Sequence, residues 1–168
     1  MWDSLIIDVS DIKAIVSCIN ICSEERNHSV DVRPSTINNA GYGLFARNRI
    51  QPDDRIATYG GEMTRVSADK APNGDYIYLF PEPLLCGHGL TEAQIVTTRW
   101  RGTYRDAHTH FRISEMGRWI NHDATRVNAF ADIDGKDADG GWVLSFYAAR
   151  TIEAGEEIFI DYGPHYIL

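Results

Sequence analysis

From Val30 onward the chain is cut into short runs by turn-forming residues, and that punctuation limits the folds it can reach. Runs of β-like composition fall at 44–46, 55–59, 76–80, 95–100, 129–133, 142–149 and 157–162. Between them stand Pro52-Asp53-Asp54, Asn73-Gly74-Asp75, Asp134-Gly135 and Gly140-Gly141. These residue types reverse a chain by fixing φ, by tolerating positive φ, or by bonding their own backbone. Many short runs with little helix predict a β-rich α+β domain built from small sheets. The exception comes first. Residues 11–22 place Ile12, Ile15, Val16 and Ile19 on one helical face, with Ser10 or Asp11 able to cap. A helix there would serve packing or a dimer contact.

Composition narrows the function classes. At 168 residues the chain fits one domain and can bury its own core. Its longest apolar runs fall far short of the ~20 residues that span a membrane, and Met1-Trp2-Asp3-Ser4 lacks the basic start of a secretory signal. Three irregularly spaced cysteines speak against a disulfide framework and for a reducing, intracellular compartment. Cys18 with Cys22, Cys86 with His88 and His108 with His110 are near pairs, yet no four of them have structural-zinc spacing. No metal is expected. The net charge of −8 leaves no basic stripe for phosphates, so direct nucleic-acid binding is not expected. The same charge would steer a cationic peptide toward the chain, or simply keep it in solution.

Two C-terminal segments carry most of the chemistry: Gly117-Arg118-Trp119-Ile120-Asn121-His122 and Glu156-Glu157-Ile158-Phe159-Ile160-Asp161-Tyr162-Gly163. Polar groups beside Trp119 and Ile120 need partners, because an unpaired buried polar group is costly. Upstream lie Gly41-Tyr42-Gly43-Leu44-Phe45-Ala46 and Tyr59-Gly60-Gly61-Glu62. Gly41-x-Gly43-x-x-Ala46 superficially matches a dinucleotide fingerprint, with Glu62 about 20 residues on where that motif wants an acid. The fingerprint must open a helix, however, and residues 47–50 run into Pro52 without helical periodicity.

These four segments, in this order, resemble the signature motifs of SET-domain protein-lysine methyltransferases over residues 30–166. The resemblance implies small sheets around a C-terminal pseudoknot in which one motif threads the other. It implies S-adenosylmethionine as cofactor, approached by Gly41, Tyr42 and Gly43 and contacted by Asn121 and His122. It makes Tyr162 the catalytic tyrosine and Tyr59 a wall of the lysine channel. Tyr166 would close the site near the adenine, where family members use longer flanks, unless a second subunit does so. The division expected is 1–28 as a helical extension and 29–168 as the SET domain, with a variable, substrate-selecting insert at 63–116. Partners would be a lysine-bearing protein or basic peptide, histone tails being prominent family targets, in the nucleus or cytoplasm or inside a host cell. The family usually continues Asn-His-Ser-Cys-x-Pro-Asn, whereas this chain reads Asn121-His122-Asp123-Ala124-Thr125-Arg126-Val127-Asn128, one residue longer. That departure and the short tail support an alternative, a SET module without catalysis that serves as a peptide-binding or scaffold subunit.

The implied chemistry is a one-step displacement, so alignment carries much of it. The lysine must attack as a neutral amine although its ordinary pKa is about 10.4. An aromatic channel and the approaching sulfonium both disfavour the charged form. By resemblance, product multiplicity depends on a side chain beside the catalytic tyrosine. Ile160, Ala131 and Phe130 are the candidates and none carries a hydroxyl, so more than one methyl is expected unless Tyr78 or Tyr147 fills the space.

Overall fold

The computed structural model describes residues 16–17, 20, 29–59, 62–65, 77–79, 103–106, 115–136 and 142–162. Among these described residues, ten strands form four small sheets: β1 Val30–Pro34, β2 Tyr42–Ala46, β3 Arg55–Tyr59, β4 Glu62–Arg65, β5 Ile77–Leu79, β6 Thr103–Asp106, β7 Asn121–His122, β8 Ala129–Lys136, β9 Trp142–Ala148 and β10 Phe159–Ile160. β1 and β2 form an antiparallel hairpin, β3-β9-β8 and β4-β6-β5 are antiparallel, and β7 pairs with β10 in parallel. The β-rich expectation holds.

Burial follows the strand period. Val30 and Val32 turn inward from β1 while Asp31 and Arg33 face outward. They meet Leu44 and Ala46 of β2, Leu144, Phe146 and Ala148 of β9, and Ile50, Ile120, Ile152 and Ile158 from the connecting segments. These side chains make one core, and the pieces most relevant to function are short segments fixed around it.

Of the expected helix, Val16, Ser17 and Asn20 are described and helical; the other positions lie outside the described residues. Val16 joins the core. Asn20 brackets β1, with Nδ2 donating to the Val32 carbonyl and Oδ1 accepting the Val32 N–H, both at 2.9 Å. This is a packing role. The run at 95–100 and the turns at Asn73-Gly74-Asp75 and Gly140-Gly141 also lie outside the described residues. Asp134-Gly135, expected as a turn, instead lies within β8. Gly135 takes φ 102°, and the β8–β9 register shifts between Ile133 and Lys136, so the glycine absorbs a bulge and the strand continues. Among the described residues no helix is long and apolar enough to cross a membrane. None of them forms a group of three or more His, Cys, Asp or Glu placed to hold a metal.

Candidate active site

The segment at 155–160 runs between two neighbours that are distant in sequence. On one side it meets β2: Ala46 N–H donates to the Glu156 carbonyl at 2.9 Å, and Ile158 N–H to the Leu44 carbonyl at 2.8 Å. On the other it meets the loop at 121–128. Asp123 N–H donates to the Ile160 carbonyl and Asn128 N–H to the Phe159 carbonyl, each at 3.2 Å. Asn128, fully buried, extends this seam with its side chain. Its Oδ1 accepts the Phe159 N–H and its Nδ2 donates to the Glu157 carbonyl, both at 2.8 Å. The segment at 155–160 is therefore threaded between them, its backbone bonded to β2 through Gly155, Glu156 and Ile158 and to the 121–128 loop through Phe159 and Ile160.

The loop that replaces Ser-Cys-x-Pro closes by its own chemistry. Asp123 Oδ1 accepts the Thr125 N–H at 2.9 Å and the Thr125 hydroxyl at 2.7 Å, while Oδ2 accepts from Arg126 Nε at 2.6 Å. The Thr125 hydroxyl first, and Arg126 with it, hold the Asp123 carboxyl well below the usual carboxylate range. The Arg126 guanidinium stacks 4.3 Å from the centre of the Phe159 ring. An Asx-type turn and a cation–π lid thus accommodate the extra residue and deliver Asn128 to the seam.

Inside this frame lies a buried carboxylate. Glu157 is 4% exposed. Its Oε1 accepts from the Ser35 hydroxyl at 2.7 Å and from Asn121 Nδ2 at 3.1 Å. Its Oε2 accepts from the Thr36 N–H at 2.7 Å and from the Thr36 hydroxyl. Four donors are what such a group needs away from water. Gly43 exists for the same reason: a Cβ there would overlap the Glu157 carboxylate and press on the Asn121 amide. Gly41 has a different role, taking φ 72° in an exposed turn with open space around it.

Next to this network stand the expected reaction groups. A 3-10 turn at Gly117–Trp119 ends at Ile120, and the chain extends into β7. The Tyr162 hydroxyl donates to the Ile120 carbonyl at 2.6 Å, and the Tyr162 N–H to His122 Nδ1 at 3.0 Å. The two rings lie 5.3 Å apart. Because Nδ1 accepts, a neutral His122 carries its proton on Nε2. Tyr42 lends its carbonyl to Asn121 Nδ2 at 3.1 Å and sets its ring edge-on to Trp119 at 6.2 Å. Tyr59 is buried edge-on to Phe146, also at 6.2 Å, and its backbone bridges Met116, directly before the 3-10 turn.

Tyr42, Gly43, Asn121, His122 and Tyr162 thus form one contiguous cluster, with Gly41 at its edge and Tyr59 joined through Met116. Tyr166 lies outside the described residues. Sequence reasoning gave no role to Glu157, Ser35, Thr36 or Asn128. Glu157 had a signal, an acid directly before the apolar run Ile158-Phe159-Ile160. Ser35 and Thr36 had none, since they reach Glu157 across 122 and 121 positions. What the arrangement offers chemically is a pair of oxygens, Tyr162 Oη and the Ile120 carbonyl, beside an amide and an imidazole in fixed orientation. Such oxygens suit a polarised C–H or N–H group that must be aligned.

The family model for the SET domain matches residues 41–163. A histone-lysine N-methyltransferase of Caenorhabditis elegans, mes-2, is 31% identical over 137 residues, covering 80% of this chain and 15% of the relative. The histone-lysine N-methyltransferase EZH2 of Chaetomium thermophilum is 29% identical over 134 residues, covering 79% and 8%. Among solved structures, the Chaetomium thermophilum polycomb repressive complex 2 in an autoinhibited conformation bound to S-adenosylmethionine is similar, with TM-score 0.55 and 28% identity. That match covers 81% of this chain and 15% of the solved one. The chain spans less than a sixth of the length of these relatives.

Proposed function

The chain belongs to the SET-domain family, and we propose that it is a protein-lysine N-methyltransferase using S-adenosylmethionine. The observation that carries this reading is the Tyr162 hydroxyl meeting the Ile120 carbonyl at 2.6 Å, directly beside Asn121 and His122. The cofactor, bound in the Chaetomium complex, would supply a methyl on a sulfonium, whose carbon an amine nitrogen could bond as the carbon–sulfur bond breaks and a neutral thioether leaves. Asn121 and His122, with the backbone at 41–43, would hold it. Tyr162 Oη and the Ile120 carbonyl would align the reacting methyl and amine through their lone pairs. Tyr59 and its aromatic neighbours disfavour the charged amine by excluding water, so the lysine enters neutral. The altered Asn-His loop still closes on β10 through Asp123 and Asn128, which supports catalysis over a scaffold role.

Residues 29–168 form the catalytic unit in this reading, and the insert at 63–116 selects the substrate. That substrate is a lysine-bearing basic segment drawn by the acidic chain, histone tails included, in nucleus or cytoplasm. The hydroxyl-free side chains of Ile160, Ala131 and Phe130 favour more than one methyl per lysine. A lysine-peptide array incubated with cofactor and read by mass tests these points together. Mono- and dimethyl products are expected on basic peptides. An array with no mass gain would sink the assignment, and monomethyl alone after long incubation would sink the multiplicity.

A further inference from the structure

The Asn121 amide has three acceptors around its nitrogen: the Tyr42 carbonyl, Glu157 Oε1 and Ser35 Oγ, each at 3.1 Å. A carbonyl and a carboxylate only accept. The Ser35 proton is already committed to Glu157 at 2.7 Å, and the Ile37 N–H donates to the same hydroxyl at 3.0 Å. The hydroxyl thus has no proton left for Asn121, and it accepts from the amide as well. A flipped amide would set Oδ1 against three oxygen atoms, so only one orientation is compatible with these neighbours. Nδ2 is locked into the network, and among the described residues no donor reaches Oδ1.

S-adenosylmethionine carries two kinds of N–H donor, an α-ammonium and an adenine amino group. We infer that Glu157 and Ser35 are positioning residues that fix the Asn121 amide so that its Oδ1 accepts an N–H of the cofactor. The inference rests on the methyltransferase reading above. Neither residue touches cofactor itself. Glu157 holds the amide, Ser35 ties Glu157 to Asn121, and Gly43 leaves room for the carboxylate to do so.

Thr36 makes the test selective. It bonds the same carboxylate through Oε2, not the Oε1 that meets Asn121, and its hydroxyl also accepts from Arg126 Nη1 at 3.0 Å, so its loss perturbs Glu157 and the Arg126 contact while removing no partner of the Asn121 amide. Calorimetric titration of S-adenosylmethionine into the full chain, with thermal melting in parallel, compares Ser35→Ala, Thr36→Val, Asn121→Ala and the Ser35→Ala/Asn121→Ala double variant. Ser35→Ala is expected to weaken binding roughly tenfold and Thr36→Val less than about twofold. The double variant should bind no more weakly than Asn121→Ala alone, since the two act through one contact. In turnover, Ser35→Ala should raise KM for the cofactor and leave kcat within about twofold. Equal weakening by Ser35→Ala and Thr36→Val, in step with their melting losses, would overturn the inference by showing a purely structural role. Additive losses in the double variant would overturn it too. A native chain that binds no cofactor overturns the methyltransferase reading and this inference together, a result distinct from native binding that Ser35→Ala leaves intact.

Discussion

Two polar clusters in this molecule each centre on a carboxylate, and they differ in what encloses them. The Glu157 cluster joins the loop after β1, the start of β7 and the threaded segment, with the carboxylate 4% exposed. The Asp134 cluster lies on the sheet β3-β9-β8. There Asp134 accepts from the Tyr147 hydroxyl and, at 2.6 Å, from the Ser145 hydroxyl, with Arg55 Nε at 3.3 Å. The Arg55 side chain is 52% exposed and that of Asp134 27%. Water can replace a lost partner in the second cluster and cannot in the first. The number of hydrogen bonds is therefore a poor guide to what each cluster contributes. Enclosure decides it.

The largest effect should come from Asn128→Ala. It strips the Phe159 N–H and the Glu157 carbonyl of partners in a fully buried seam, and roughly 3 kcal/mol of stability should vanish in denaturant titration. A loss below about 0.5 kcal/mol would mean that water enters the threaded segment, and the contrast between the clusters would fail. Gly43→Ala comes next. Its Cβ has to displace the Glu157 carboxylate, and overpacking of this kind costs about 1–3 kcal/mol. A crystal structure of that variant should show Glu157 moved and Asn121 turned; an undisturbed Asn121 would uncouple the two residues.

Tyr147→Phe should have the smallest effect, about 1 kcal/mol or less near neutral pH, because Asp134 keeps Ser145, Arg55 and water. Burial first, and the Asp134 carboxylate after it, push the Tyr147 hydroxyl up to about 12. A raised folded-state pKa contributes stability that is intact below the unfolded value of about 10 and is lost as pH rises through the folded one. The native chain's advantage over Tyr147→Phe should therefore shrink as pH climbs from about 10 toward about 12. An advantage that grows over this range would place the Tyr147–Asp134 contact wrongly.

The two clusters also differ in how far the sequence announced them. Strand β3 has the expected bounds, and β9 differs by one residue, because turn residues flank both and the apolar pattern is local. β8 runs past Gly135, since a glycine that permits a turn equally permits a bulge. The expected strand at 157–162 contracts to Phe159–Ile160, because its other backbone groups bond β2 and the Asn121 loop instead of a regular partner. The motifs singled out Asn121, His122 and Tyr162, which the structure brings together. The groups that bond the Asn121 amide and its neighbour Glu157 were not singled out. Ser35 and Thr36 lie in an irregular loop whose contacts form only when the threaded segment arrives, and no local period encodes that meeting.

The buried cluster bonds Asn121, directly before the His122 that meets Tyr162, and the function proposed there is transfer of a methyl group to lysine. The direct measurement is single-turnover transfer of labelled methyl from S-adenosylmethionine to a lysine peptide, comparing the native chain with Tyr162→Phe. That variant loses only the hydroxyl that meets the Ile120 carbonyl. The native chain should transfer label to lysine, while Tyr162→Phe should melt normally, bind the cofactor with unchanged affinity and transfer about 10²-fold more slowly. Equal transfer rates for the two proteins, or no label on lysine with the native chain, would contradict the account.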